Sequence, residues 1–180
     1  WDSTADAEYD ECLLKAGVLG RAPVRFDLLE TLRWSPADGY VLLERHLQRL
    51  ADSAEYFGVP ISATGIRNAL VAAVAGAQGE RRVRLLVASD GTTRTESRPH
   101  EAWFEPVPIA LALAPVDPDD RFLVHKTTNR GVYEQALASR PDHRDVILWN
   151  SRGELTETTT ANLVLELDGA LVTPPVSSGL

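Results

Sequence analysis

The stretch that decides the C-terminal fold is residues 153–175, GELTETTTANLVLELDGALVTPP. Its Asp168-Gly169 pair lies between two β-prone apolar runs, which is a strong signal for a β-hairpin closed by a two-residue turn. One carboxylate, Glu157, precedes the hairpin and is followed by three threonines. Because ligand sites are often built on loops with a stiff support, this segment is the first candidate for a functional site.

A second candidate segment lies upstream, at residues 125–130, HKTTNR. A lysine, an acid and small hydrogen-bond donors are the parts needed to hold pyridoxal phosphate. In such sites the lysine forms the Schiff base, the acid pairs with the pyridinium nitrogen and the donors hold the phosphate. Lysines are common, however, and a glutamate before a hairpin is usually a solvated surface residue. The residues alone therefore leave a cofactor site around Lys126 and Glu157 and an ordinary surface both open.

Three segments together resemble the class IV (fold-type IV) aminotransferases: HKTTNRGVYEQA (125–136), LTETTTANLVLE (155–166) and VTPPVSSGL (172–180). That family includes branched-chain aminotransferases, D-amino-acid aminotransferases and aminodeoxychorismate lyases, and the resemblance covers roughly residues 24–180. It implies a two-domain α+β or α/β fold of the class IV aminotransferase type. It also implies that Lys126 is the Schiff-base lysine, that Glu157 holds the pyridine nitrogen, and that pyridoxal 5'-phosphate is the cofactor.

The resemblance assigns roles to three more side chains. Arg49 matches the arginine that grips the cofactor phosphate, a role that suits its rigid fork of donors, although an arginine on this helix is otherwise a surface residue. Arg84 matches an arginine near the substrate carboxylate in branched-chain enzymes, with Arg81 and Arg82 as neighbouring alternatives. Thr31 matches a threonine that assists proton transfer in aminodeoxychorismate lyases.

The loop that follows Glu157 has a supporting role in the same comparison. The resemblance implies that Asn162 orders this loop behind the carboxylate. It also implies that the threonines from Thr158 to Thr160 supply backbone and hydroxyl donors to the cofactor. We therefore expect Thr158 and Asn162 to be cofactor-binding residues.

The N-terminal segment, WDSTADAEYDECLLKA, resembles the extreme C-terminus of chorismate-binding component I enzymes. There the acids matching Glu8 and Glu11 help bind magnesium, but here they would be stranded remnants, so no metal site is expected. The alternative is a solvated helix face with an i,i+4 pair between Glu11 and Lys15. The resemblance suggests a fusion in which a component I enzyme runs directly into the class IV domain.

The expected organisation has three parts: a tail helix with a linker (1–23), a small α+β domain (24–114) and the start of a larger cofactor-binding domain (121–180). The boundary is PVDPDD, residues 115–120, with two prolines and three acids. Periodicity predicts two amphipathic helices, one that ends at Gly58 and one over residues 63–77, and a third helix over 129–139. Strands are expected at 25–34, 40–43, 82–89, 103–114 and 145–149.

Composition limits the possible partners. The net charge of -8 and pI near 5.0 argue against nucleic acid or an anionic membrane, and no apolar run reaches the length of a membrane span. The single cysteine, Cys12, allows no internal disulfide and fits a reducing cytoplasm. We expect a small-molecule substrate, which is aminodeoxychorismate or an amino acid. We also expect a homodimer and an upstream component I domain.

The ends of the sequence also lead to an expectation. The chain begins at Trp1 and contains no methionine, so we interpret it as a piece of a longer polypeptide. The family continues beyond this point with a helix whose N-terminal amides cap the cofactor phosphate. We therefore expect the 180-residue piece, taken alone, to hold cofactor weakly or not at all.

The leading functional hypothesis is a lyase that converts 4-amino-4-deoxychorismate to 4-aminobenzoate and pyruvate for folate synthesis. It depends on the class IV motifs, on Thr31 and on the component I tail. One alternative is a branched-chain or D-amino-acid aminotransferase. Another, of a different class, is a non-catalytic appendage that stabilises or docks the component I enzyme.

Overall fold

The structure is a computed structural model that describes Glu8, residues 24–102 and residues 106–179. The predicted tail helix and linker therefore lie outside the described residues, together with Glu11 and Cys12. Glu8 is the exception, and it is an exposed helical residue.

The first sheet is antiparallel, in the order β2-β1-β3-β4. Its strands are β1 (Leu28–Ser35), β2 (Gly39–Tyr40), β3 (Arg81–Val87) and β4 (Thr93–Pro99). Since side chains alternate along a strand, each strand presents one face to a core and the other away from it. Most core-facing side chains of β1 and β3 are apolar and fully buried: Leu28, Leu32, Val83, Leu85 and Val87. Glu30 shares this face of β1 and is also buried.

Two helices cover the core face of this sheet. Helix α1 (Leu43–Phe57) ends at Gly58, which has a left-handed φ of 67°. In this conformation its amide donates hydrogen bonds to carbonyl oxygens of the last turn of the helix. Helix α2 (Ala63–Ala73) begins at Ser62, whose hydroxyl accepts a hydrogen bond from the amide of Gly65. Their buried side chains complete the first hydrophobic core: Leu50, Ala54, Ile66 and Leu70.

The second sheet has the order β5-β6-β7. Strands β5 (Ile109–Leu111) and β6 (Asp145–Trp149) run parallel, and β7 (Leu155–Thr158) is antiparallel to β6. The short helix α3 (Arg121–Val124) and helix α4 (Gly131–Ala138) lie between β5 and β6 in the chain. They contribute Leu123 and Tyr133 to a second core with Ala112, Val116, Val146 and Leu148.

The predicted hairpin is confirmed. It consists of β8 (Leu165–Leu167) and β9 (Ala170–Val172), which are antiparallel partners. Its two turn residues, Asp168 and Gly169, have positive φ values of 51° and 79°. Positive φ at both central positions defines the type I′ turn that an Asp-Gly pair favours.

The sequence-based elements need several corrections. Strand β4 was not predicted, because its sequence TRTESRP has no buried side chain and therefore no apolar pattern. Its hydrogen-bonded pairing with β3 holds it in the sheet. The strand expected at 40–43 ends at Tyr40, since Leu42 adopts a left-handed φ of 51° before α1 begins. Helix α2 ends four residues earlier than expected, at Ala73. Glu157 precedes the hairpin, as expected, and lies within strand β7.

One strand belongs to a different sheet from the one expected. Of the strand predicted at 103–114 in the first unit, residues 103–105 lie outside the described residues, and Ile109–Leu111 form β5, which pairs with β6 in the second sheet. Val116, from the predicted boundary, is a member of the second core. The division of the chain into domains stays a prediction, but β5 lies with the C-terminal elements.

The segment before α4 is hydrogen-bonded to the start of β1. The amide of Leu29 donates to the carbonyl oxygen of Lys126, and the amide of Thr128 donates to the carbonyl oxygen of Asp27, both at 2.9 Å. Asp27 also donates its own amide to the hydroxyl of Thr128 at 2.9 Å. These bonds fix the backbone of Lys126 against the first sheet, although Leu123, three residues earlier, belongs to the second core.

Within the described ranges, no helix combines the length and apolar character needed to cross a membrane.

Candidate active site

A cleft of about 700 Å³ lies between the outer face of the first sheet and the loops around β7 and α4. It is lined by all seven residues that the sequence assigns to cofactor or substrate: Lys126, Glu157, Arg49, Thr31, Arg84, Asn162 and Thr158. The fold thus brings together side chains that are separated by up to 131 positions in the chain (Thr31 and Asn162). Their individual roles stay predictions.

Lys126 is partly buried in this cleft. Burial lowers the pKa of its ammonium group, and the nearby Arg49 guanidinium lowers it further, which outweighs the opposite effect of Glu30 and Glu157. A lowered pKa increases the fraction of neutral amine, which is the nucleophilic form that bonds to a carbonyl group. The structure therefore supplies a lysine suited to covalent chemistry.

Glu157 is held by a tyrosine that the sequence analysis did not single out. The hydroxyl of Tyr133 donates to Oε1 of Glu157 at 2.5 Å. Burial raises the pKa of Tyr133 strongly, and the charge of Glu157 raises it further, so the phenol stays a donor. One carboxylate oxygen of Glu157 is thus occupied by Tyr133, and no other described residue donates a hydrogen bond to the second oxygen, which can meet a donor in the cleft.

Arg130, the residue that immediately precedes α4, completes this arrangement. Its guanidinium carbon lies 4.2 Å from the centre of the Tyr133 ring, in cation–π contact. One of its nitrogens, Nη2, donates to the carbonyl oxygen of Thr159. Arg130 therefore links the tyrosine that orients Glu157 to the loop that follows Glu157.

The threonine loop is organised around a buried carboxylate, Asp145, which is 1% exposed. Asp145 accepts hydrogen bonds from the hydroxyls of Thr158 and Thr160 at 2.7 and 2.5 Å, and from both the amide and the hydroxyl of Thr159. Burial alone would raise the pKa of Asp145, but these bonds outweigh it and lower the pKa. The threonine hydroxyls therefore bind Asp145, which limits their use as cofactor donors.

Arg49 reaches the cleft from α1 and is anchored by Glu30. Two guanidinium nitrogens of Arg49 donate to the two carboxylate oxygens of Glu30 at 2.8 and 2.6 Å, and His46 bonds the same carboxylate at 2.8 Å. Burial raises the pKa of Glu30, but the bonds from Arg49 and His46 outweigh this effect and lower it. The Arg49 side chain remains 46% exposed, so part of its fork is open to an anion.

The remaining predicted residues lie on two sides of the cleft. Thr31 on β1 and Arg84 on β3 are register partners on the sheet wall, and Arg84 is paired with Glu96 at 2.7 Å. Asn162 is exposed at the opposite rim. The hydroxyl of Thr158 is used within the protein, since it donates to Asp145 and accepts from the amide of Ala161.

Sequence reasoning missed Tyr133, Asp145 and Glu30. One signal was present: Glu30 is the single acid in the run LLETL (28–32), and a buried charge needs partners. Tyr133 and Asp145 give no such signal, because only the packing of α4 against β6 and β7 shows what they touch. In the described part of the chain, no cluster of histidine, cysteine, aspartate and glutamate side chains could hold a metal ion.

The residues present fit pyridoxal phosphate. Lys126 offers an amine of lowered pKa, Glu157 a carboxylate with one oxygen free, and Arg49 a half-exposed guanidinium, all in one cleft. A covalent anchor, a partner for the ring nitrogen and a partner for the phosphate are the contacts that this cofactor needs.

Comparisons with known proteins agree with this reading. The sequence profile of the family described as "Amino-transferase class IV" matches residues 27–180. The chain is also 31% identical over 151 residues to a Schizosaccharomyces pombe protein named "Putative aminodeoxychorismate lyase". That match covers 77% of this chain and 63% of the relative, so the chain spans less than two thirds of that curated protein.

Solved structures share the fold. A Mesorhizobium loti protein named "Putative amino-acid aminotransferase" is 33% identical with a TM-score of 0.79, over 86% of this chain and 77% of that chain. A branched-chain amino acid aminotransferase from Thermobaculum terrenum, solved in its PLP-form, is 20% identical with a TM-score of 0.69, over 86% and 59% of the two chains. The mixed α/β architecture expected from the sequence is thereby confirmed.

Proposed function

The chain belongs to the amino-transferase class IV family, and from that premise we propose that the protein is a pyridoxal-phosphate-dependent lyase. Its substrate is 4-amino-4-deoxychorismate and its products are 4-aminobenzoate and pyruvate. The observation that carries the proposal is the placement of Lys126 and Glu157 in one cleft, with Arg49 beside them. The 31% identical relative named for this lyase supports the choice of reaction.

The roles of the residues follow from their chemistry. Bound pyridoxal phosphate supplies an electron sink when its ring nitrogen stays protonated. Glu157, with Tyr133 on one oxygen, keeps the other oxygen for that nitrogen. Arg49, held by Glu30, offers its free donors to the phosphate. Lys126 would hold the cofactor covalently, and its amine, once free, would serve as the acid–base group beside the substrate.

Proton movement completes the proposed reaction. The substrate carbon that carries the amine loses its proton to Nζ of Lys126, whose lowered pKa suits a general base. The carbon–oxygen bond to the enolpyruvyl group then breaks, and the six-membered ring of the substrate becomes aromatic. The leaving group takes up a proton at its methylene carbon to become pyruvate. Thr31 lies on the cleft wall and is the proposed relay for that proton.

A second candidate function is an aminotransferase, which the 33% identical Mesorhizobium loti structure favours. The two reactions differ in their products, since an aminotransferase moves an amino group between two substrates and the lyase releases pyruvate and an aromatic amine. The experiment measures pyruvate release from aminodeoxychorismate and, in parallel, amino exchange between glutamate and branched-chain or D-amino acids. Pyruvate release without exchange supports the lyase, and exchange without pyruvate overturns it.

The same experiment tests whether the protein is catalytic at all. A non-catalytic appendage of a component I enzyme would show neither pyruvate release nor amino exchange. We also propose that the protein is a homodimer and that residues 1–16 follow a component I domain. Sequencing the encoded reading frame and measuring the mass of the protein in solution test these two points.

A further inference from the structure

The wall of the cleft formed by β3 and β4 carries three arginines, of which only one is neutralised. Arg84 has Glu96 directly opposite it, with an Nη1 to Oε2 distance of 2.7 Å. Arg82 and Arg98 are directly opposite each other in the same ladder, and both line the cleft. Among the residues that the structure describes, none forms an ion pair with Arg82 or Arg98.

Such a pair is unfavourable without an anion. Like charges directly opposite on neighbouring strands destabilise a sheet. Arg33 on β1, Arg82 on β3 and Arg98 on β4 form one row across the sheet. Arg33 differs from the other two because it is paired with Glu80 at 2.6 Å. The chain has 26 acidic and 18 basic residues, so an excess of cations does not explain the unpaired charges. A solvated surface pair is the simplest alternative, since both side chains are exposed. Both also line the cleft, so their exposed donors are within reach of a ligand bound there.

The row of arginines lies at a distance from Lys126. The Lys126 carbonyl bonds the amide of Leu29, four residues along β1 from Arg33. Because β3 pairs along one edge of β1, Lys126 lies at the other edge. With roughly 3.4 Å per residue and roughly 4.8 Å between strands, the backbones of Lys126 and Arg82 are roughly 17 Å apart. Two long side chains with a ring-sized molecule between them span such a distance.

We propose that Arg82 and Arg98 together bind a carboxylate at the end of the substrate opposite its reacting amine. The site is thereby selective for cyclic amines that carry such a carboxylate. The inference rests on the proposed function, because it takes the amine to react at Lys126. It differs from the expectation that Arg84 binds the substrate carboxylate, since Glu96 already neutralises Arg84.

The test uses two probes that differ only in charge, 4-aminobenzoate and its neutral amide, 4-aminobenzamide. Their affinities for the cofactor-loaded protein, as it is encoded, are measured by calorimetry at low and high salt. We expect the wild type to prefer the carboxylate by at least about tenfold, as charge-assisted bonds to two arginines imply. The preference should weaken as the salt concentration rises.

Four variants separate the subsite from general electrostatics. The double variant Arg82→Gln/Arg98→Gln should lose the preference and raise the KM for aminodeoxychorismate at least about tenfold, with kcat within about twofold. The double variant Arg82→Lys/Arg98→Lys keeps the charge and should retain part of the preference. The single variant Arg82→Gln should show a carboxylate preference between those of the wild type and the Gln double variant. The control is Arg94→Gln, which removes the same charge from β4 outside the cleft, where Arg94 pairs with Asp27 at 2.6 Å.

The results that would overturn the carboxylate subsite differ from those that would overturn the proposed lyase function. Equal affinity of the wild type for both probes, binding of neither, or an unchanged preference in the Gln double variant overturns the subsite. An equal loss in Arg94→Gln also overturns it, because the effect would then be long-range. If the preference behaves as expected but no pyruvate is released, the subsite stands and the lyase assignment fails. Circular dichroism of each variant checks that the sheet is intact.

Discussion

The two walls of the cleft are built in opposite ways. On the wall formed by β7 and α4, the main polar groups are already partnered within the protein, with Tyr133 on Glu157 and three threonines on Asp145. On the wall formed by β3 and β4, Arg82 and Arg98 face each other across the ladder without an ion pair among the described residues. The first wall is preorganised, and the second has charge left for a ligand.

This difference has a physical consequence for function. Groups that act on the same atoms in every turnover benefit from fixed orientation, which hydrogen bonds from neighbours provide. Groups that recognise an incoming anion need unused donors, and they are less stable until the anion arrives. We therefore expect substitutions on the two walls to have different signatures: loss of chemistry and stability on the first, and loss of affinity on the second.

The largest expected effect is that of Lys126→Ala. Without its amine the cleft has no covalent anchor, so the visible absorbance of the loaded protein and all turnover should disappear. The check is reduction of the loaded protein with borohydride, followed by mapping of the labelled peptide. Lys15→Ala is the matched control, because Lys15 is the other lysine of the chain. A label that remains in Lys126→Ala contradicts the assignment.

Glu157→Gln comes next. The glutamine amide keeps the shape of the side chain and the hydrogen bond from Tyr133. It removes the negative charge that keeps the ring nitrogen of the cofactor protonated. Turnover should fall by at least about a hundredfold, while cofactor still binds. Steady-state kinetics and a cofactor titration measure the two effects, with Glu166→Gln on the exposed hairpin strand β8 as the control. An unchanged rate would identify Glu157 as a residue without a role in the chemistry.

Asp145→Asn tests the buried support of the first wall. An amide cannot accept every bond from Thr158, Thr159 and Thr160, so the free energy of unfolding should fall by about 2–3 kcal/mol in denaturant titrations. The pKa of Asp145 is lowered in the fold because its hydrogen bonds outweigh the effect of burial. Its contribution is therefore complete above the unfolded value of 3.8 and is lost as the pH falls below it. If the free energy of unfolding falls equally on acidification in the wild type and in Asp145→Asn, the Asp145 carboxylate does not have this stabilising role.

Tyr133→Phe should have the smallest effect of the four. The ring and its contact with Arg130 remain, and only the bond to Glu157 is removed, so unfolding should require about 1–2 kcal/mol less. The pKa of Tyr133 is raised in the fold by burial and by Glu157, so the stabilisation is present below the unfolded value of 10.0 and is lost at higher pH. Urea titrations of both proteins at neutral and alkaline pH measure this. An equal difference at every pH would show that the hydroxyl acts only through packing.

Parts of the fold could be predicted because the signals are local. Helix α1 has an apolar stripe at helical spacing and a terminal glycine, and the β8–β9 turn is an Asp-Gly pair whose backbone preference decides the turn type. Strand β6 is an apolar run bounded by turn residues, and its bounds agree with the prediction. Strand β4 has no such signal, since its residues are polar on both faces and its pairing with β3 alone makes it a strand.

By itself the sequence determined the resemblance to the family and, through it, the cofactor hypothesis and the candidate residues Lys126 and Glu157, because that resemblance depends on short motifs. Only the tertiary structure decided that Arg84 is neutralised by Glu96 and that the loop threonines are bound to Asp145. Such pairings join residues from different elements, and whether a charge is free or satisfied depends on what the fold places beside it. That is a property of packing, which no local pattern in the chain encodes.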